Sequence, residues 1–255
     1  MKLSASFHPK VWGSPKLSPW FLDAAEKIGE VWFEPPSDVP LLIKFLFTTE
    51  NLSVQVHPED EYAREHHNGS NGKTEMWYIL RTDPGAKIAL GLRQGLTADQ
   101  LRAASLSGEI MDLLNWVEVQ PGDMYFAPAG TVHAIGAGIA LCEIQQISDV
   151  TYRLYDYGRD RELHLDRGVA VSNLVAHEHA DLSKCPYFRT SVVEVSGTTT
   201  LHSPQAPAIL ICVAGEGLLD GQPYGPGEAW RLDETSALVE ASADSRFLLT
   251  YVPTR

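Results

Sequence analysis

Short runs of apolar residues, separated by Gly, Pro and Asp, recur along most of the chain. Runs of this length between turn residues are typical of β-strands in a sandwich or barrel. The pattern predicts strands at 41–48, 52–57, 75–81, 116–119 and 140–145. A helix is predicted at 97–104, because Thr97 and Gln100 have the spacing of a capping box. A second helix is predicted at 166–174, with Asp166 as its cap.

The second half of the chain repeats a feature of the first. A Pro-Gly-acidic turn follows an apolar run at 121–123, and a similar turn occurs at 226–228. We interpret this repetition as a duplicated small β-barrel. The chain is therefore predicted to be mainly β, with two jelly-roll β-barrels and a few short helices. The first domain would comprise 1–182 and the second 183–255.

The strand at 52–57 carries polar residues on one face. Alternate side chains of a strand point the same way, so Ser53, Gln55 and His57 share a face opposite Leu52, Val54 and Val56. This pattern alone favours an amphipathic strand with a solvated outer face. A carbonyl oxygen and an imidazole aimed into one cavity would also suit a metal site.

A second motif favours the metal interpretation. The segment Gly122 to His133 fits the spacing G-x5-P-x-G-x2-H, in which Gly130 permits a tight reversal before His133. This spacing is similar to a motif of cupin barrels, so both predicted barrels are taken as cupin-like. The first, with an N-terminal extension, is the expected catalytic, metal-binding domain.

A carboxylate completes a possible donor set. Glu75 shares a strand face with Lys73 and precedes an apolar run, where it could also be an ordinary solvated residue at the end of a strand. Together with Gln55, His57 and His133 it offers two imidazoles, a carboxylate and an amide oxygen. Zn²⁺ accepts such ligands, and Fe²⁺ oxygenases use two His and one carboxylate. The pattern does not choose between these metals.

Several segments together resemble a known family. "LSVQVHP", "GKTEMWYIL", "PGDMYFAPAGTVHAI" and "EIQQISDVTYRLYDYGR" are similar to class I mannose-6-phosphate isomerases of the short bacterial type, over about Trp12 to Arg159. The resemblance implies one Zn²⁺ per chain, held by Gln55, His57, Glu75 and His133. It implies active-site roles for Arg153, Glu143 and Lys73. It places three further residues around the phosphate or sugar oxygens: Lys44, Ser53 and Arg159.

The chain also departs from this family. It has no room for the helical insertion of longer members, and Ile135 stands where they carry an aromatic residue two positions after the last ligand histidine. In the second half, Asp233 and Leu238 take the places of Pro128 and His133. The second domain is therefore expected to be a degenerate cupin that binds no metal.

Composition and charge narrow the range of molecules that the chain is expected to bind. The net charge of −13 repels nucleic acid, so an anionic substrate must be held by local cations. The most apolar stretch, 41–47, is short and interrupted by Lys44, and the N-terminus has no apolar signal region. We expect a cytoplasmic monomer or homodimer with a small sugar-phosphate substrate and no membrane or nucleic-acid partner.

The expected reaction interconverts mannose 6-phosphate and fructose 6-phosphate through a cis-enediol. Glu143 or a metal-polarised water is expected to move the proton, with Arg153 and Lys73 stabilising oxyanions. Two rival functions stay open. One is an Fe²⁺ cupin dioxygenase, which uses similar ligands, and the other is a non-catalytic, metal-bearing sugar-phosphate sensor.

Overall fold

The computed structural model describes residues 1–254. The strands of the N-terminal part are β1 (Ala5–Ser14), β2 (Ile28–Phe33), β3 (Leu41–Phe47), β4 (Val54–Val56), β5 (Glu75–Thr82), β6 (Lys87–Leu92), β7 (Leu114–Glu118), β8 (Met124–Ala127), β9 (His133–Ile135), β10 (Ile139–Gln146) and β11 (Tyr152–Tyr155). The later strands are β12 (Arg189–Val195), β13 (Thr198–His202), β14 (Ala208–Ala214), β15 (Gly217–Leu219), β16 (Gln222–Tyr224), β17 (Glu228–Leu232), β18 (Ser236–Ala241) and β19 (Ser245–Tyr251). The helices are α1 (Asp60–His66), α2 (Ala98–Ser107), α3 (Ile110–Leu113) and α4 (Leu165–Val171), with a 3₁₀ turn at Leu182–Lys184.

The strands form four antiparallel sheets within residues 1–254. Their orders are β1-β2-β3-β10-β5-β8, β11-β4-β9-β6-β7, β12-β19-β14-β17 and β13-β18-β15-β16. The protein is thus mainly β with few helices, as predicted. All four sheets are open, so the finer prediction of closed barrels is not shown by the strand pairing.

The sheets are stacked in layers around separate apolar clusters. One cluster joins the six-stranded sheet to the five-stranded sheet through Leu46, Trp77 and Ile88. Another joins the opposite face of the six-stranded sheet to strands β14, β17 and β19 of the second half, and includes Phe45 and Ile211. The six-stranded sheet is therefore the central layer, and both of its faces are covered.

Local signals predicted some boundaries well. Helix α2 begins after Thr97, and the reciprocal Thr97–Gln100 capping box is present. Helix α4 begins one residue earlier than expected and ends at Val171, three residues early. Its cap position is His164, so the prediction of Asp166 as the cap is wrong; Asp166 lies in the first turn. None of the helices within the described residues is long and apolar enough to cross a membrane. The domain boundary at residue 182 stays a prediction.

Candidate active site and metal centre

Strand register brings the donor residues together between the two larger sheets. In the five-stranded sheet, Gln55 pairs with Arg153 on one side and with His133 on the other. In the six-stranded sheet, Gln145 pairs with Glu75. His57 follows the short strand β4 directly. Three donors, one each from His57, Glu75 and His133, lie within 4.8 Å of one another.

The two imidazoles are oriented by backbone carbonyls. His57 Nδ1 lies 3.0 Å from Val150 O, and His133 Nδ1 lies 2.9 Å from Thr131 O. A carbonyl oxygen can only accept, so each Nδ1 is the donor and each Nε2 keeps its lone pair. Both Nε2 atoms face the Glu75 carboxylate. The distance to a carboxylate oxygen is 3.5 Å for His57 Nε2 and 3.3 Å for His133 Nε2.

The arrangement of these donor atoms suits a bound metal ion better than it suits hydrogen bonds among the donors themselves. His57 Nε2 is buried and has no hydrogen-bond partner within the described residues. Burial, followed by the Lys73 charge, holds the pKa of His57 well below its ordinary value, and burial also lowers the pKa of His133. Neutral imidazoles held through Nδ1, beside a carboxylate, are the form that ligates divalent metals.

Gln55 lies at the edge of this set, and its amide nitrogen, rather than its oxygen, is the atom near the donors. Its Nε2 is 3.3 Å from His133 Nε2, and its Oε1 accepts a hydrogen bond from Ser53 at 3.2 Å. Rotation of the amide by half a turn would exchange these two atoms and aim the oxygen at the donor cluster. Ser53 could then accept from the amide nitrogen, because a hydroxyl both donates and accepts.

Two lysines and a second carboxylate lie beside the donors, all of them buried. Lys73 Nζ is 3.0 Å from Glu75 and 3.8 Å from Glu143, and Lys44 Nζ is 3.6 Å from Glu143. Lys44 and Glu143 are direct cross-strand partners. This register explains the isolated lysine in the apolar run of β3.

Burial and the surrounding charges give these groups different acidities. Burial disfavours ionisation of Glu75, but Lys73 keeps the pKa of Glu75 below its ordinary value. Burial and the Glu75 charge raise the pKa of Glu143 to about 7, against the opposing effect of Lys73. Burial lowers the pKa of Lys44, whereas the two carboxylates raise that of Lys73. Two nearby carboxyls with separated pKa values can hold different roles.

A polar cavity of about 250 Å³ opens beside the donors. Most of the residues predicted for the site line it, namely Lys44, Ser53, Gln55, Lys73, Glu143 and Arg153. Arg159 does not line it; its guanidinium contacts the Asn51 carbonyl at 2.7 Å and Asp156 at 3.0 Å.

Sequence reasoning missed several lining residues. Arg161 lines the cavity in place of Arg159, and the N-terminal hairpin contributes Lys10, Trp12 and Glu30. The apolar spacing of β2 was a usable signal, because its alternation places Glu30 on the face of Lys44 and Leu46. No local signal marked Arg161, which lies in an irregular segment after β11.

The fold and the site together define a class: a mainly antiparallel β protein with a buried two-histidine, one-carboxylate centre beside a cationic cavity. Comparison with known proteins narrows this class. The chain is 42% identical over 224 residues to the mannose-6-phosphate isomerase ManA of Bacillus subtilis (strain 168), which covers 74% of this chain and 70% of that protein. It is 38% identical over 198 residues to the mannose-6-phosphate isomerase of Streptococcus mutans, covering 70% of this chain and 62% of that protein.

Solved structures agree with this assignment. The crystal structure of the mannose 6-phosphate isomerase from Bacillus subtilis superposes with a TM-score of 0.88 and 26% identity, over 98% of this chain and 99% of that one. No protein-family model matches the chain. The chain belongs to the mannose-6-phosphate isomerase family, as the sequence resemblance indicated.

Proposed function

We propose that this chain is a metal-dependent aldose–ketose isomerase that interconverts mannose 6-phosphate and fructose 6-phosphate. The observation that carries the proposal is the juxtaposition of the His57–Glu75–His133 donor set with a buried carboxylate, Glu143, between two lysines. A polar cavity lined by lysines and arginines opens on the same groups. The names of the relatives agree with this reaction.

The proposed metal ligands are Gln55, His57, Glu75 and His133, and the proposed metal is one Zn²⁺ per chain. The donor types suit zinc with a further position open. When bound there, the metal would supply Lewis-acid stabilisation of negative charge on the sugar's carbonyl oxygen. The orphaned Nε2 of His57 supports this assignment.

The residues of the chain would move the proton and hold the substrate. Glu143 is proposed as the base that takes the proton from C2 of mannose 6-phosphate and returns it to C1, by way of a cis-enediol. Its raised pKa suits a base that works near neutral pH. Lys73 and Arg153 would stabilise the oxygens that become negative, because both are cations on the cavity side of the site.

The remaining predicted residues would hold the substrate in the cavity. Lys44 and Ser53 line it and can donate to sugar hydroxyls. Arg159 does not line the cavity, so its proposed contact with phosphate requires a movement of its guanidinium or an indirect contact.

We also propose that the four sheets form two cupin-like units, at 1–182 and 183–255, with the metal in the first. The apolar cluster within the second half supports a separate unit there, since it contains only residues from Val195 onward. A cytoplasmic monomer or homodimer stays a prediction.

The function is tested with metal-stripped protein and a coupled assay for fructose 6-phosphate, before and after adding Zn²⁺ or Fe²⁺. We expect Zn²⁺ to restore turnover of mannose 6-phosphate. His57→Ala should abolish this recovery, and His66→Ala, a change at a helix residue outside the site, should not. Protein that binds metal and sugar phosphate without turnover would instead be a sensor, and metal-dependent oxygen uptake would identify a dioxygenase.

A further inference from the structure

Three arginines gather around one buried carboxylate at the end of β11. Arg161 contacts both oxygens of Asp156 through Nε and Nη2, at 2.6 Å each. Arg159 Nη2 lies 3.0 Å from Asp156 Oδ1. Arg153 lies on β11 itself, and its Nη1 donates to the backbone carbonyl of Glu162 at 2.7 Å. The charges of these three arginines are opposed by buried Asp156 and by the exposed carboxylate of Glu162, so the cluster keeps a small excess of positive charge.

Part of this cluster lacks hydrogen-bond acceptors. Arg153 Nε and Arg159 Nη1 are buried and have no partner within the described residues. A buried guanidinium N–H without an acceptor is costly, more so than a neutral donor. The connection also holds Tyr157 in the left-handed region, at φ 56°. That conformation is uncommon for a bulky residue and is found in segments that the surrounding structure constrains.

Asp156 presents Arg161 to the cavity. The carboxylate occupies the Nε–Nη2 edge of the guanidinium, so the edge formed by Nη1 and the outer Nη2 hydrogen remains for a ligand. Arg161 lines the same cavity as Lys44, Lys73 and Arg153. Its side chain is 30% exposed, whereas that of Asp156 is 2% exposed. The anchor is thus buried and the cation lies at the opening.

We infer that Arg161 binds the phosphate group of the substrate and that Asp156 is its positioning residue. A planar guanidinium fork matches two phosphate oxygens, and its second edge can be held by a carboxylate at the same time. The arginines of the cluster supply the local positive charge that a phosphate group requires in a chain whose net charge is −13. The inference rests on the proposed function for the claim that the phosphate belongs to a sugar.

The Asp156–Arg161 pair could instead serve only to fasten the connection between β11 and α4. These two roles differ in their effect on ligand binding. A fastening role affects the melting temperature alone, whereas a phosphate-binding role also affects affinity for inorganic phosphate, which contacts no sugar-binding group.

The test uses the metal-loaded full chain and two measurements. Isothermal titration gives the Kd for inorganic phosphate, and the coupled assay gives KM and kcat for mannose 6-phosphate. We expect Arg161→Gln to raise both Kd and KM at least about tenfold, the loss of one charge-assisted hydrogen bond, with a smaller change in kcat. Arg161→Lys should recover part of the affinity, because it restores the charge without the fork. Arg102→Gln, which removes a surface ion pair with Asp166, is the matched control and should change neither constant.

Asp156→Asn distinguishes a positioning role of Asp156 from a purely electrostatic one, because the two roles change the affinity for phosphate in opposite directions. If Asp156 orients Arg161, phosphate binding weakens even though a negative charge has been removed. Tighter binding in Asp156→Asn would overturn the positioning role. Should this variant fail to fold, the Arg161 variants still decide the inference.

The inference and the proposed function fail in different ways. Isomerase activity with Kd and KM unchanged in Arg161→Gln would overturn the inference alone, as would a wild-type chain that does not bind inorganic phosphate. Phosphate binding that depends on Arg161, in a chain that does not isomerise mannose 6-phosphate, would support the phosphate site and overturn the proposed function.

Discussion

Replacing Glu143 by Gln separates its chemical role from its structural one. The Glu143 carboxylate lies 3.6 Å from Lys44 Nζ and 3.8 Å from Lys73 Nζ, and all three side chains are buried. Gln has nearly the same volume and shape but carries no charge and cannot accept the substrate's proton as a base. Glu143→Gln should therefore affect both turnover and stability, by different mechanisms.

The expected losses follow from the geometry. At an effective dielectric constant of about 20, unit charges 3.6 Å apart attract by about 4.6 kcal/mol. Burial and the Glu75 charge outweigh this attraction, since together they raise the pKa of Glu143 to about 7. Removing its charge should therefore cost less than the roughly 3–5 kcal/mol that is usual for one partner of a buried pair. Lys73 keeps Glu75 as a partner at 3.0 Å, so Glu143→Gln should change the free energy of unfolding by less than about 1 kcal/mol. Loss of a general base should reduce kcat by about 10²- to 10⁴-fold.

The assay compares Glu143→Gln with Lys44→Met and with the double variant, each loaded with zinc and checked for metal content. Urea unfolding gives stability, and turnover is measured at a temperature where every variant is folded. The double variant removes one charge of each sign, so any stability that Glu143→Gln loses should largely return. Its kcat should stay far below that of Lys44→Met alone, because the base is still missing.

Near-normal kcat in Glu143→Gln would refute the assignment of Glu143 as the base. The proton would then have to move through another group, such as a metal-polarised water. Loss of turnover that the double variant recovers together with its stability would also refute it, because the defect would then be one of folding. Glu118→Gln, at an exposed position of β7, controls for the loss of a carboxylate elsewhere.

Further predictions concern pH, metal and packing. A carboxylate base must be ionised, and burial with the Glu75 charge raises the pKa of Glu143 to about 7. The kcat should therefore fall as the pH drops through this value, and a bound metal cation would move the fall to lower pH. Glu143→Gln should remove this pH dependence. Chelation should lower the melting temperature of the zinc-loaded chain, since a metal that binds only the folded state stabilises it; His57→Ala should abolish the shift, and unchanged metal content in His57→Ala would contradict the ligand assignment. Phe45→Ala, at a fully buried position, should lower the free energy of unfolding by about 3–5 kcal/mol in urea titrations, and a loss below about 1 kcal/mol would mean that the two halves are not tightly packed there.

The local pattern of apolar and polar residues was enough to predict the strands near the site and which side chains share a face of each strand. The apolar run at 41–48 became β3, and the run at 75–81 became β5. Alternation placed Gln55 with His57, but it could not show what lies opposite a strand. The pairing of Lys44 with Glu143 depends on register between β3 and β10, which are far apart in sequence. For that reason the apolar run itself does not show which group pairs with Lys44.

Arg161 was missed for a different physical reason. Its place in the cavity depends on an irregular connection, where no periodicity relates sequence position to side-chain direction. Arg161 is held by the carboxylate of Asp156, which is buried only once the chain has folded. In the sequence, an Asp in a turn-rich segment is ordinary and gives no sign of this burial. The resemblance to the family named Arg159 instead, two residues away, because a motif match carries positions but not the contacts around them.

The burial of the central sheet explains why the second half is present although it lacks the metal motif. Phe45 and Ile211 belong to one apolar cluster between the halves, whereas Lys44 and Glu143 point to the opposite face of the same sheet. Without the second half, the outer face of β3 and β10 would expose large apolar side chains to water. A sheet covered on both faces is rigid and dry, and its strands read as continuous apolar runs. On the other face, the five-stranded sheet covers Lys44 and Glu143, and burial there requires these charged groups to pair in the arrangement that the proposed reaction uses.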